Sequence, residues 1–140
     1  MLIREAKESD VLFLKRLLVQ LGYPDQDETG VQQRINHHSK EGYRLLVAEM
    51  DQEVVGFIAL HWFHLLHLAG NLGRISAFCV DERFRSQGIG MRLLETAEEL
   101  LKSKGCGKIE VMSNLKRTRT HQFYLKQKYT EESKRFVKYV

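Results

Sequence analysis

The sequence predicts a mixed α/β domain, and three observations predict it. Some apolar stretches follow the period of a strand and others the period of a helix, and the two kinds of segment are interspersed along the chain. A glycine-bearing turn stands where one strand-like run gives way to a long helix, at Val80 to Gly90. With 140 residues, 43% hydrophobic content and a single proline, the chain can bury one core, so residues 1–140 are read as one domain. No internal repeat, low-complexity tract or linker divides it.

Residues 2–6 read as a short first strand. Ser9 then caps a helix with apolar positions Leu12, Phe13, Leu17, Leu18 and Leu21, and Gly22 stops it. Tyr23-Pro24-Asp25 is turn chemistry, followed by a more polar helix from about Glu28 to Lys40. Two β-rich runs, 44–50 and 53–63, are joined by Asp51-Gln52, a polar connection of the hairpin kind, and are expected to pair antiparallel. Residues 64–71 are a loop or an extension of that strand, and 73–80 is a further strand able to face a core on both sides. The turn 81–87 leads into a helix with Leu93, Leu94, Ala97, Leu100 and Leu101 at helical spacing, Lys102 and Lys104 near its negative end, and Gly105 as its stop. A strand at 108–113, a helix at 118–126 and a closing strand at 134–140 complete the order.

Composition narrows the partners. The 22 Lys and Arg against 18 Asp and Glu leave a net charge of +4, a mild surplus that suits an anionic ligand. Basic residues are interspersed with acidic ones and no nucleic-acid motif is present, so no nucleic-acid partner is expected. The apolar runs 45–48 and 54–60 fall short of the ~20 residues needed to span a bilayer. No secretory signal opens the chain, which points to a cytoplasmic protein without a membrane partner. Cys79 and Cys106 lack metal-type spacing and read as reduced, buried thiols.

The segment from Val80 to Gly90 leaves a strand, turns, and enters a helix. Glycine admits backbone conformations closed to other residues and lets a ligand approach, while the first N–H groups of a helix have no partners within it. Together with the helix dipole these make an anion site. It is not the dinucleotide fingerprint, because Leu93 stands where a third glycine is required, and no G-K-[ST] follows to make an ATP-type phosphate loop.

Arg85-Ser-Gln-Gly-Ile-Gly90, preceded by an apolar strand ending in Val80-Asp81, resembles the R/Q-x-x-G-x-G/A signature of GNAT acetyltransferases. His121-Gln-Phe-Tyr124, followed by Lys126-Gln-Lys-Tyr129, is similar to that family's A-x-x-F-Y-x-x-x-G-F helix. The resemblance implies an α/β (α+β) GNAT fold: a central mixed, mostly antiparallel sheet flanked by about four helices. The implied order is strand, two helices, three strands, helix, strand, helix and two strands. It also implies an N-acetyltransferase that takes acetyl-CoA as co-substrate and a small-molecule amine as acceptor. By the same resemblance, main-chain groups of Phe78, Cys79 and Val80 hold the pantetheine arm, a backbone N–H near Cys79 stabilises charge on the thioester oxygen, and Arg85 with the amides of Ser86, Gln87, Gly88, Ile89, Gly90 and Met91 holds the pyrophosphate. Tyr124 is the implied general acid, its phenol starting from a pKa near ~10.

Three departures from the family pattern matter. Where several members carry a cofactor-binding asparagine seven residues before the tyrosine, this chain has Arg117, with Asn114 three residues earlier; either can contact the cofactor. Lys128 replaces the glycine that ends the helix. No carboxylate lies in 74–80 to accept the amine proton, leaving His61, His64, His67 or water as the acceptor. On a continuous strand His61 and His67 share a face and His64 opposes them, so no metal site is expected.

The segments 56–67, Ser113 to Arg117 and Arg135 to Val140 are similar to the aminoalkylphosphonate N-acetyltransferase branch of the family. That likeness implies an amine bearing an anionic group, with Arg74 and the histidines supplying a positive pocket. The alternatives are acetylation of a protein or polyamine amine, or a catalytically silent CoA-binding GNAT domain. A homodimer remains open.

Overall fold

Strand and helix alternate as the period of the apolar residues changes. In the computed structural model, which describes residues 1–113 and 117–140, the chain runs through β1 (Leu2–Glu5), α1 (Val11–Leu21), α2 (Glu28–His37), β2 (Tyr43–Met50), β3 (Glu53–His64), β4 (Asn71–Val80), α3 (Ile89–Ser103), β5 (Cys106–Val111) and α4 (Thr118–Lys126). Among the described residues the strands form one sheet in the order β1-β2-β3-β4-β5. All neighbours are antiparallel except β4 and β5, which run parallel. Asp51 and Gln52 take φ of 49° and 65°, the left-handed pair that closes a two-residue hairpin with the right twist for its strands.

Both faces of the sheet are covered, which is why β2 and β3 read as nearly unbroken apolar runs. Leu46, Ala48, Ile58, Leu60 and Ile75 pack with Leu93, Leu94, Ala97 and Leu101 of α3. On the other face Leu45, Val47, Phe57, Ala59 and Cys79 meet Val11, Leu14 and Leu17 of α1 and Val31 and Ile35 of α2.

Several expected boundaries move, each for a local reason. Ser9 is exposed and does not cap α1. Asp10 stands at the cap, because its buried carboxylate accepts the Lys7 amide at 2.9 Å and the Arg4 guanidinium at 2.9 Å, and these bonds carry the chain through a short 3₁₀ turn, Glu8–Asp10. Leu12 is 65% exposed, since α1 turns Val11, Leu14 and Leu17 to the sheet. Helix α2 ends at His37, where His38 folds its ring Nδ1 onto the Arg34 carbonyl at 2.7 Å. Strand β5 begins at Cys106 rather than 108, because the Asn71 amide donates to the Gly105 carbonyl at 3.0 Å and the Asn71 side chain to the Lys104 carbonyl at 2.8 Å.

The expected closing strand at 134–140 is not formed. Phe136, Tyr139 and Val140 are fully or almost fully exposed; Arg135 donates to the sulfur of Met112, just past β5, at 3.0 Å, and Glu132, just before the segment, pairs with Lys108 of β5 at 3.2 Å. Alternating residues confer strand propensity, but a ladder also needs a partner edge in register.

Candidate functional site

Strand β4 ends at Asp81, and this residue sets up the turn. Its amide donates to the Val55 carbonyl at 2.8 Å, which ties the strand end to β3. Its fully buried carboxylate accepts the Arg83 amide at 3.0 Å and the Arg83 guanidinium at 2.8 Å, with Arg16 at 3.6 Å. Glu53 pairs with both arginines, and Arg83 in particular pulls the Asp81 carboxyl down to about 2. After a 3₁₀ turn (Glu82–Phe84), Ser86 takes φ of 64° and Gly88 φ of 82° at the cap of α3. No atom lies within 4 Å of where a Cβ on Gly88 would stand, so the turn is open to an approaching group. Arg92 donates to the Gly88 carbonyl at 3.1 Å as the first helical bond, and the amides of Ile89, Gly90 and Met91 therefore have no acceptor within the helix.

Strands β4 and β5 pair from Asn71–Cys106 to Ile75–Val111, where the ladder stops while β4 runs on to Val80. Among the described residues this leaves the edge of β4 nearest the turn without a strand partner from β5, and this open edge is the cleft. Phe78 and Val80 on β4 come within 3.6 Å of the Cβ direction of Gly90, and Phe123 of α4 within 4.0 Å, so turn, strand and helix meet there. The Tyr124 ring lies 6.4 Å from Phe78, 5.7 Å from Phe123 and 5.8 Å from Tyr129. Burial pushes the Tyr124 phenol up to about 12 against the opposing pull of Arg117, so it keeps its proton. Tyr129 donates to Glu98 at 2.8 Å and pins the end of α4 to α3. Arg117 stands at the cap of α4, while Asn114 lies outside the described residues. Arg85 turns back, its Nε donating to the Val80 carbonyl at 3.2 Å. The Cys79 thiol points the other way and donates to the Leu17 carbonyl at 3.5 Å, where burial pushes its pKa up and keeps it an unreactive thiol.

On the face turned to α1 and α2, an open cavity of about 360 Å³ is lined by Gly42, Tyr43, His61, Trp62, Phe63 and Arg74. Register places Tyr43, His61, Arg74 and Glu110 side by side across β2, β3, β4 and β5. His61 is stacked between Tyr43 and Phe63 at 5.5 and 5.3 Å; burial first, and then the charge of Arg74, push its pKa down and favour the neutral ring. His64 is exposed at the end of β3 and His67 is exposed in the turn that follows, so of the three histidines His61 alone lines the cavity. Glu110 Oε1 accepts the Arg74 Nε–H at 2.5 Å. This carboxylate is the polar residue that the sequence did not single out, because nothing local to β5 says which residue of β4 it will oppose. Among the described residues no group of three or more His, Cys, Asp or Glu is arranged to hold a metal, and no helix is long and apolar enough to cross a membrane.

The model of the Acetyltransferase (GNAT) family matches residues 11–129. An aminoalkylphosphonate N-acetyltransferase of Salmonella typhimurium is 41% identical over 96 residues, covering 69% of this chain and 61% of that protein. The chain spans 61% of the length of the curated relatives it matches. A transcriptional regulator from Bacillus halodurans C-125 shares the fold at a TM-score of 0.90 and 22% identity, with 99% of each chain covered. Glucosamine-6-phosphate N-acetyltransferase from Arabidopsis thaliana does so at 0.84 and 23% identity, with 99% of this chain and 97% of that one covered.

Proposed function

Because the chain belongs to the GNAT acetyltransferase family, we propose that it is an acetyl-CoA-dependent N-acetyltransferase acting on the amine of a small molecule, an aminoalkylphosphonate or another anionic amine. The observation that carries the reading is the conjunction at Gly90: the open glycine turn, the edge of β4 beyond its pairing with β5, and the aromatic face of α4 adjoin one another. The fit of a pyrophosphate is supported by the free space at Gly88 and by three helix-start amides without helical acceptors.

Acetyl-CoA supplies the acyl group: the amine nitrogen bonds to the acetyl carbon, the carbon–sulfur bond breaks, and of the two protons lost by the ammonium one ends on the thiol and one in solvent. The residues of the chain prepare and neutralise this exchange. Phe78 and Val80 flank the cleft along β4, and backbone N–H groups near Cys79 offer donors to the developing oxyanion. Tyr124, protonated at every working pH, donates to the leaving sulfur. The chain's likeness to the Salmonella enzyme supports the acceptor class.

The test is release of free thiol from acetyl-CoA in the presence of aminomethyl- and 2-aminoethylphosphonate, matched alkylamines, polyamines and lysine peptides. The phosphonates should show the highest kcat/KM. Peptides or polyamines ahead by about tenfold would remove the acceptor assignment, since that ratio corresponds to the ~1.4 kcal/mol of one charge-assisted contact, and no release with any amine would remove the activity.

A further inference from the structure

Arg74 and Glu110 are the charged pair beside the point where the cleft opens. They oppose each other one rung before Ile75 and Val111, the last paired couple of β4 and β5. Ile75 and Val111 turn to the core under α3, so alternation places Arg74 and Glu110 on the opposite face, the face of the cavity. Their side chains are 33% and 31% exposed, and the guanidinium lies 5.0 Å from the centre of the Phe63 ring. The two charges are thus satisfied by one another, Arg74 lines the cavity, and Glu110 stands beside it on the same face, partly exposed.

We infer that Arg74 and Glu110 form the specificity-determining pair of the acceptor site and select amines that carry an anionic group on the same small molecule. The inference rests on the acetyltransferase reading and adds the residues and the reason for selectivity. A zwitterion replaces one internal ion pair with two: its anionic group takes the planar fork of Arg74, and its ammonium takes Glu110. A plain alkylamine gains Glu110 only by leaving Arg74 without its carboxylate. A plain anion gains Arg74 only by stranding Glu110. Stranding a partly desolvated charge costs about as much as the new contact returns, so neither simple ligand competes. His61, directly across from Arg74, is kept neutral by its surroundings and adds no cation that would tip the site toward plain anions.

The experiment is calorimetric binding of 2-aminoethylphosphonate, ethylphosphonate and ethylamine to the CoA-saturated protein, for the wild type, Arg74→Gln and Glu110→Gln. The wild type should bind the zwitterion about tenfold or more tighter than either simple ligand. Arg74→Gln should erase that preference. Glu110→Gln should weaken the zwitterion by about tenfold and tighten ethylphosphonate, because the guanidinium is released from its internal partner. A pair that only braced the sheet would move both ligands in the same direction, so weakening of both, or no change in either, overturns the inference. Should one single variant fail to fold, the double variant Arg74→Gln/Glu110→Gln leaves no charge stranded and must bind zwitterion and ethylamine equally; a retained preference overturns the inference as well. A wild type that binds the zwitterion selectively but acetylates no amine sinks the acetyltransferase reading and leaves the pair standing.

Discussion

A phenol that is 7% exposed and pushed up to about 12 acts as a donor and never as a base. That value lies above the ~8.5 of an ordinary thiol, so in the proposed role Tyr124 would hold the departing sulfur by a hydrogen bond and pass a proton only as the amine proton replaces it. Tyr124→Phe keeps the ring contacts with Phe78, Phe123 and Tyr129 and removes the hydroxyl alone. Acetyl-CoA affinity should therefore stay near the wild-type value while kcat falls by about 10²- to 10⁴-fold, read by thiol release and by the melting shift with CoA. Equal turnover in the two proteins would return Tyr124 to a packing role. The residue itself is visible in the sequence through the Phe123-Tyr124 helix, but its depth of burial is not: Tyr124 and Phe123 are neighbours in the chain, and only α4 lying over Phe78 decides which of them is enclosed.

At the scale of elements, the proposed pyrophosphate site lies at the join between β4 and α3. Gly88 is held at φ of 82° by a turn that begins at buried Asp81 and ends at the first bond of α3. The Cβ of a valine there meets no neighbour within 4 Å, but the residue must adopt a left-handed backbone, at a cost of ~1–2 kcal/mol. A valine at Gly90 instead pushes branched methyls toward Phe78, Val80 and Phe123. Gly88→Val should melt lower than the wild type, and both variants should lose the melting shift that saturating CoA confers, ~2.7 kcal/mol at a hundredfold excess over Kd. An undiminished shift in both would take the pyrophosphate away from this turn. The hairpin and the glycine turn are legible because each depends on residues within one or two positions of the bend. The closing strand misled for the complementary reason: 134–140 has strand-like residues, and no local feature says whether an edge will receive them.

For the whole molecule, arginines paired with carboxylates set the response to acid, some across a turn, as Arg83 on Asp81, and some across the fold, as Arg83 and Arg16 on Glu53. Burial pushes Asp10 up, but Arg4 and the Lys7 amide together pull it below the ordinary value; Arg83 and then Arg16 lower Glu53; Arg83 chiefly lowers Asp81 to about 2 from 3.8. A carboxyl whose folded pKa is depressed contributes stability that is complete above its unfolded pKa and is lost as pH falls through the folded value. The urea midpoint should thus hold down to about pH 4 and drop steeply toward pH 2, and Asp81→Asn should start lower at neutral pH but decline less over that window. An identical acid slope in both proteins would show that Asp81 does not carry it. What the sequence determined alone is the set of local events: alternation of strand and helix, the stop at Gly22, the Asp51-Gln52 hairpin and the turn at Gly88, each governed by contacts within a few residues. What only the tertiary structure decided is which distant residues meet: Tyr43, His61, Arg74 and Glu110 in one row, Arg4 on Glu49, and the tail left outside the sheet. Those depend on strand register and on which helix face turns inward, and both are settled by burial of the two shared cores, to which residues from most of the chain contribute at once.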